Sequence, residues 1–135
     1  MKVLVDTSVW SLAFRYSSAQ DNPLIKELDS LIKDFRVQLI GPIRQELLSG
    51  TKSDKQFEKL KTYLCSFPDY IIQPEDYEQA AQFFNKCRGN GIQGSNTDFL
   101  ICSIAVNNNW QIFTSDQDFL HYQKIVLIQL YKSSN

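Results

Sequence analysis

The chain is poor in the residues from which many enzyme sites are built. It has one histidine, His121. A histidine-based zinc site is excluded on that count. A Ser-His-Asp or Cys-His set would need His121 beside a nucleophile, and no motif places it there. The three cysteines, Cys65, Cys87 and Cys102, are odd in number, widely spaced and form no Cys-x-x-Cys pair. Two of them lie in apolar helical patterns, so they read as small buried hydrophobes in a reducing, cytoplasmic setting. No Gly-x-x-x-x-Gly-Lys loop or Gly-x-Gly-x-x-Gly fingerprint is present, and Gly89, Gly91 and Gly94 follow a helical pattern rather than a strand, which excludes the common phosphate-cradling loops. No apolar run approaches the roughly 20 residues needed to span a bilayer, and the charges at Lys2 and Asp6 argue against a signal peptide. An excess of basic charge is also missing. With a net charge of −1, any nucleic-acid binding must come from a local patch, a bound metal or a partner.

What is there is enough for one folded domain over residues 1–135. The 43% apolar content supports a core, and no linker, repeat or low-complexity tract divides the chain. Short apolar runs at residues 2–6, 37–40, 70–72, 111–114 and 125–130 read as strands. Between them the pattern turns helical. Thr7-Ser8 caps a first helix, and Asn22-Pro23 opens a second after a polar loop from Tyr16 to Asn22. Pro42 starts a third that Gly50 ends, and Phe57, Leu60, Leu64 and Phe67 mark a fourth that Pro68 stops. Pro74 opens a fifth with Tyr77, Ala80, Ala81, Phe84 and Cys87 on one face. The most apolar helix runs from Asp98 to Asn108, with Asn96 as the candidate cap. Strands alternating with helices imply an α/β domain with a parallel sheet covered on both faces.

Four acids sit where these elements begin or end. Asp6 closes the first strand, Glu46 follows the second, Asp98 opens the most apolar helix and Asp116 follows the fourth strand. In an open α/β sheet those ends gather at the carboxyl edge of the strands, where ligands bind. A helix from Asp98 to Asn108 descends about 15 Å, and a strand from Trp110 to Thr114 climbs back about 13 Å. The two acids flanking that unit therefore end at similar height. Lateral closeness requires the first and fourth strands to be neighbours. Four gathered carboxylates repel one another unless a cation neutralises them, and an all-carboxylate donor set prefers the hard cations Mg²⁺ or Mn²⁺.

Each acid also has an ordinary reading. Asp98 can offset a helix dipole, Asp6 and Asp116 can initiate turns, and Glu46 can be a solvated helix residue. Their joint placement is what favours a site. Asp118 stands either as a further ligand or as the residue that organises the turn after Asp116. Ser8 and Thr114 can orient a carboxylate or hold water. Arg15, Arg44, Lys52 and Arg88 lie in segments that flank the same edge, where phosphate contact competes with plain solvation. Trp10 and Trp110 read as packing residues.

The blocks Val3-Leu-Val-Asp6-Thr7-Ser8-Val-Trp10, Gly41-Pro42-Ile-Arg-Gln-Glu46-Leu47-Leu48-Ser-Gly50, Asp98-Phe-Leu-Ile-Cys-Ser-Ile-Ala105 and Ile112-Phe113-Thr114-Ser-Asp116-Gln-Asp118-Phe119 resemble, in this order, the PIN-domain ribonucleases. They resemble more closely the VapC-type toxins of bacterial and archaeal toxin–antitoxin pairs. The resemblance covers nearly the whole chain. It implies a three-layer α/β/α fold with a five-stranded parallel sheet in the order 3-2-1-4-5, which makes the first and fourth strands neighbours. It implies metal binding by Asp6, Glu46, Asp98 and Asp116, with Thr7 or Ser8, Thr114 and Asp118 in support. It also implies a homodimer, an RNA substrate and a cognate antitoxin. Cys102-Ser103 departs from the small alanines more usual in the family. The reading reached is a Mg²⁺- or Mn²⁺-dependent endoribonuclease toxin. Its rivals are a metal-dependent phosphatase, for which Ser8 stands where a second Asp is needed, and a Mg²⁺-binding interaction module without turnover.

Overall fold

The computed structural model describes residues 1–15 and 22–132. The loop expected from Tyr16 therefore lies, up to residue 21, outside the described residues. Four short strands form one parallel sheet: β1 (Val3–Val5), β2 (Val37–Gln38), β3 (Gln111–Phe113) and β4 (Gln129–Leu130), in the order β2-β1-β3-β4. Among the described residues seven helices accompany them: α1 (Thr7–Arg15), α2 (Pro23–Lys33), α3 (Gly41–Ser49), α4 (Asp54–Leu64), α5 (Pro74–Gly89), α6 (Asn96–Asn108) and α7 (Asp118–Tyr122). Successive residues of β1 point to opposite faces, yet all three are buried, so both faces of the sheet are covered. The chain moves one way from β1 to β2 and the other way from β2 to β3. Right-handed crossovers then put α1 and α2 on one face and α6 on the other.

The sheet has four strands among the described residues, not five. The segment Tyr70–Ile72 makes one link to the sheet, the Leu39–Asp69 bridge with the Tyr70 amide donating to the Leu39 carbonyl at 3.0 Å. It then leaves the sheet because its side chains have other partners. The Tyr70 hydroxyl reaches forward to Asp76, Ile71 is 78% exposed, and Pro74 starts α5 two residues after Ile72. The outer strand is lost, but the order of the remaining four agrees with the expectation. The last strand is also shorter than expected. The amides of Ile125 and Val126 still donate to the Tyr122 carbonyl at the end of α7, and pairing with β3 begins only at Gln129.

Local chemistry explains most helix ends. Asn22 Oδ1 accepts from the Leu24 amide at 2.9 Å, and Pro23 opens α2. Ser95, not Asn96, caps α6, accepting from the Asp98 amide at 3.0 Å. Asn109 takes a left-handed backbone that ends α6 and turns the chain into β3. Helix α6 is the central helix: Phe99 through Ala105 are all buried. Helix α5 packs on it through Asp76, Ala80 and Cys87. Tyr77 and Ala81 are exposed, so the buried face is rotated by one residue from the expected one. The rotation lets Asp76 enter the interior. Trp10 packs edge-on to Phe67 at 5.3 Å and Trp110 to Tyr70 at 5.5 Å, both as packing residues. Cys87 and Cys102 are buried and Cys65 is exposed.

Asp76 is the polar tie between α5 and α6. Its carboxylate accepts from the Tyr70 hydroxyl and the Gln73 amide at 2.9 Å each and from Asn107 Nδ2 at 2.7 Å, while Ser103 Oγ donates to its carbonyl at 2.7 Å. With 2% exposure, it is tolerated only because its partners satisfy it. Asp76→Ala would leave the Tyr70, Gln73 and Asn107 donors without their acceptor and is expected to lower stability by about 3 kcal/mol, measured by urea denaturation. Asp76→Asn, which keeps one acceptor oxygen, is expected to lose less.

Candidate active site

The site begins where β1 ends. Asp6 is 6% exposed, and its backbone amide donates to the Phe113 carbonyl at 2.9 Å, extending the β1–β3 ladder by one link. Its Oδ2 accepts from Ser8 Oγ at 2.8 Å and from Thr114 Oγ1 at 2.8 Å. Thr114 is the first residue after β3. It also receives the Asp116 amide at 3.0 Å, and Ser8 Oγ receives the Ser115 amide at 3.1 Å. Two hydroxyls thus clamp the Asp6 carboxylate and at the same time fold the loop after β3 back over it. Asp116 Oδ1 then accepts from the Asp118 amide at 2.9 Å, a local bond that starts α7.

The other acids arrive from helices. Glu46 stands in the second turn of α3, and its Oε1 accepts from Thr7 Oγ1 at 3.3 Å. Asp98 lies in the first turn of α6, its amide fixed by Ser95. The Tyr122 hydroxyl donates to Asp98 Oδ2 at 2.7 Å. One carboxylate oxygen each from Asp98, Asp116 and Asp118 lies within 4.8 Å of the others. Asp118 therefore completes the turn with its amide and brings its carboxylate to the cluster.

The electrostatics tie the remaining acids to this group. Burial raises the Asp98 carboxyl above its ordinary value. The Tyr122 hydrogen bond opposes that rise, and repulsion from Asp6 and Asp116 adds to it. Burial likewise raises Glu46; the Thr7 hydrogen bond opposes it, and repulsion from Asp6 and Asp98 adds to it. Asp6, Glu46, Asp98 and Asp116 therefore share one field of negative charge. Burial, the hydrogen bond to Asp98 and the charges of Asp98, Asp118 and Asp116 keep the Tyr122 phenol well above its ordinary value, so it acts as a donor only. The donor set is all oxygen and predominantly carboxylate. That chemistry fits a hard divalent cation and not a soft one.

The four basic candidates lie on different elements. Arg44 has another task. Its guanidinium meets Asp69 through Nε and Nη2 and donates to the carbonyls of Leu64 and Phe67 beyond the end of α4. It ties α3 to the α4 terminus and is not available to phosphate. Arg15 ends α1, about 12 Å along the axis from Thr7. Lys52 is exposed in the turn between α3 and α4. Arg88 lies over the Phe84 ring at 5.6 Å and lines a cleft of about 220 Å³ with Gln93, Gly94 and Phe99, the last adjacent in sequence to Asp98. His121 is exposed on α7.

Sequence reasoning missed Tyr122, Ser95 and Gly94. A five-residue helix carries too little periodicity to announce itself, so nothing in the sequence paired Tyr122 with Asp98.

The raised acids set a pH dependence. Asp98 and Glu46 hold a proton more tightly folded than unfolded. Their contribution to stability is therefore fully present below the ordinary values of 3.8 and 4.5 and is lost as pH rises through the raised folded values. In chelator at neutral pH, Asp98→Asn is expected to melt at or above the wild-type temperature, and the difference is expected to shrink as pH falls toward 4. A variant that melts lower at neutral pH would make Asp98 a stabilising helix-start acid instead.

The PIN domain family matches residues 3–125 of the chain. No curated protein matches it in sequence. Among solved structures, VapBC2 from Rickettsia felis bound to a DNA fragment from their promoter is similar with a TM-score of 0.79 at 17% identity, covering 99% of this chain and 100% of that one. DNA-bound VapBC from Salmonella typhimurium gives 0.76 at 14% identity, covering 97% of each chain. VapBC-5 from Mycobacterium tuberculosis, a member of the VapBC family of toxin–antitoxin systems, gives 0.69 at 16% identity, covering 98% of this chain and 100% of that one. At these identities the likeness is one of fold, and it spans the acid edge together with both layers of helices. With the family match covering 123 residues (125 − 3 + 1), the chain belongs to the PIN domain family.

Proposed function

We propose that the chain is a Mg²⁺- or Mn²⁺-dependent endoribonuclease and the toxin of a toxin–antitoxin pair. The observation that carries the reading is the convergence of Asp98, Asp116 and Asp118 oxygens within 4.8 Å, in a field that also contains Asp6 and Glu46. Such a group is poor for stability and well suited to holding a cation. Asp6, Glu46, Asp98 and Asp116 would hold it, with Asp118 as a further donor. A bound divalent ion there supplies a water nucleophile at neutral pH and neutralises charge on a phosphate. The chain's own residues do the orienting. Ser8 and Thr114 hold the Asp6 carboxylate, Thr7 holds Glu46, and Tyr122 holds Asp98.

Attack by water rather than by the RNA 2′-hydroxyl is favoured because the chain has a single histidine and so no histidine acid–base pair. The products then carry a 5′-phosphate and a 3′-hydroxyl. The phosphatase reading is weakened at Ser8, where the hydroxyl donates to Asp6 in the position that reading reserves for a second acid. The antitoxin partner is supported by the fold's likeness to VapBC-5, which is described as part of a toxin–antitoxin system. A homodimer is part of the same proposal.

Purified protein is expected to cleave RNA with Mg²⁺ or Mn²⁺ and to stop in EDTA. Asp98→Asn and Asp116→Asn are each expected to reduce the rate by at least about a hundredfold, the order seen when one electrostatic contact to developing charge is lost. Full activity without metal would refute the cation, and metal binding without turnover would favour the interaction module. Ends that ligate directly, and that accept label from kinase only after phosphatase treatment, would identify hydrolysis. A 2′,3′-cyclic phosphate would exclude it. Growth arrest on expression, relieved by the adjacent open reading frame, tests the toxin role.

A further inference from the structure

We propose that Tyr122 is a positioning residue that fixes the Asp98 carboxylate for cation binding, and that Gly94 is a glycine because the tyrosine's hydroxyl occupies the space a side chain would need. The inference rests on the metal-nuclease reading. Tyr122 is fully buried. Its ring packs against Phe99, with centroids 4.8 Å apart, and against Phe119, at 5.1 Å, which restrains the phenol. The hydroxyl donates to Asp98 Oδ2 at 2.7 Å, a length typical of a donor meeting a charged oxygen. A buried tyrosine needs a partner for its hydroxyl, and this one has a carboxylate of the acid cluster.

Helix α7 thereby serves two acids. Its first residue, Asp118, contributes a carboxylate to the cluster, and its last, Tyr122, holds Asp98. A spacing of four puts the two on one side of a single helical turn. With Oδ2 fixed, the carboxylate has one orientation toward Asp116 and Asp118 rather than several.

Gly94 supplies an independent observation. A Cβ there would overlap the Tyr122 hydroxyl and lie 2.7 Å from Cζ and 2.9 Å from Phe99 Cε2. Its backbone is not in the left-handed region, unlike that of Gly91, so the position uses the missing side chain and not the backbone freedom of glycine. Alanine at 94 must displace the phenol that holds Asp98.

The test measures Mn²⁺ binding by calorimetry on RNA-free protein, together with the Mn²⁺ dependence of cleavage. Tyr122→Phe is expected to weaken Mn²⁺ affinity about tenfold or more, the order for loss of a group that orients a metal ligand. Half-activation should shift by a similar factor, with turnover largely restored at saturating Mn²⁺. Gly94→Ala should shift affinity in the same direction, and adding it to Tyr122→Phe should cost less than it does alone, because the two changes act through one hydroxyl. Tyr70→Phe is the control. It removes a tyrosine–carboxylate bond of similar length, to Asp76, and should bind Mn²⁺ as wild type does. Unchanged affinity in both Tyr122→Phe and Gly94→Ala, or an equal loss in Tyr70→Phe, would overturn the positioning role. Wild-type protein that binds no Mn²⁺ would overturn the underlying metal reading, and the positioning role with it.

Discussion

The site depends on the parallel pairing of β1 with β3. Val5 lies opposite Phe113, and one residue beyond that register Asp6 and Thr114 meet through a hydrogen bond that closes a sequence gap of 108 residues. Every other acid is placed relative to this joint. The loop after Thr114 brings Asp116 and starts α7, and α6, which begins beside Asp98 and ends at the turn into β3, carries Asp98 in its first turn. A slip of one residue between β1 and β3 would separate Asp6 from Thr114. Because β1 is apolar and buried on both faces, alternation does not set its register; the polar residues at its ends do, since a slip would carry Lys2 or Asp6 into the buried span without a partner.

The acids are held by hydroxyls rather than by bases. Ser8 and Thr114 donate to Asp6, Thr7 to Glu46 and Tyr122 to Asp98. An arginine or lysine in those places would neutralise the carboxylates and compete with a cation for them. A hydroxyl satisfies one lone pair and leaves the charge intact. Burial and mutual repulsion still raise Asp98 and Glu46, so the edge keeps a net electrostatic strain that only a proton or a cation relieves. Arg44 pairs instead with Asp69, tying α3 to the segment after α4.

Much of this could be read from the sequence because acids at strand ends follow from strand order and element length alone. Asp6, Asp98 and Asp116 mark element boundaries in the sequence, which sets their height; the strand order that makes them neighbours was implied by the family resemblance and not by the residues' pattern. Glu46 was harder to place because it stands inside α3 rather than at its start. What stayed hidden was whatever depends on contacts between short elements. Tyr70–Ile72 has strand composition, but its bonds go to Asp76 and α5. Residues 118–122 have helix geometry without enough length to show a period. The link from Tyr122 to Asp98, and the emptiness required at Gly94, are facts of packing that no local pattern encodes.

The distribution of positive charge bears on how such an edge could meet RNA. The chain has no basic excess, Arg44 is engaged by Asp69 and two carbonyls, and Arg15 stands a helix length from the acids. The protein alone therefore presents the clustered carboxylates of Asp98, Asp116 and Asp118 where, in the proposed reading, the phosphate must arrive. A phosphate approaching Asp98, Asp116 and Asp118 meets repulsion unless their charge is first neutralised. In that reading Asp98, Asp116 and Asp118 would hold a cation that supplies this neutralisation. Arg88, beside Phe84 in the cleft that shares Phe99 with the start of α6, is then the basic group best placed to meet the strand next to the cut rather than at it.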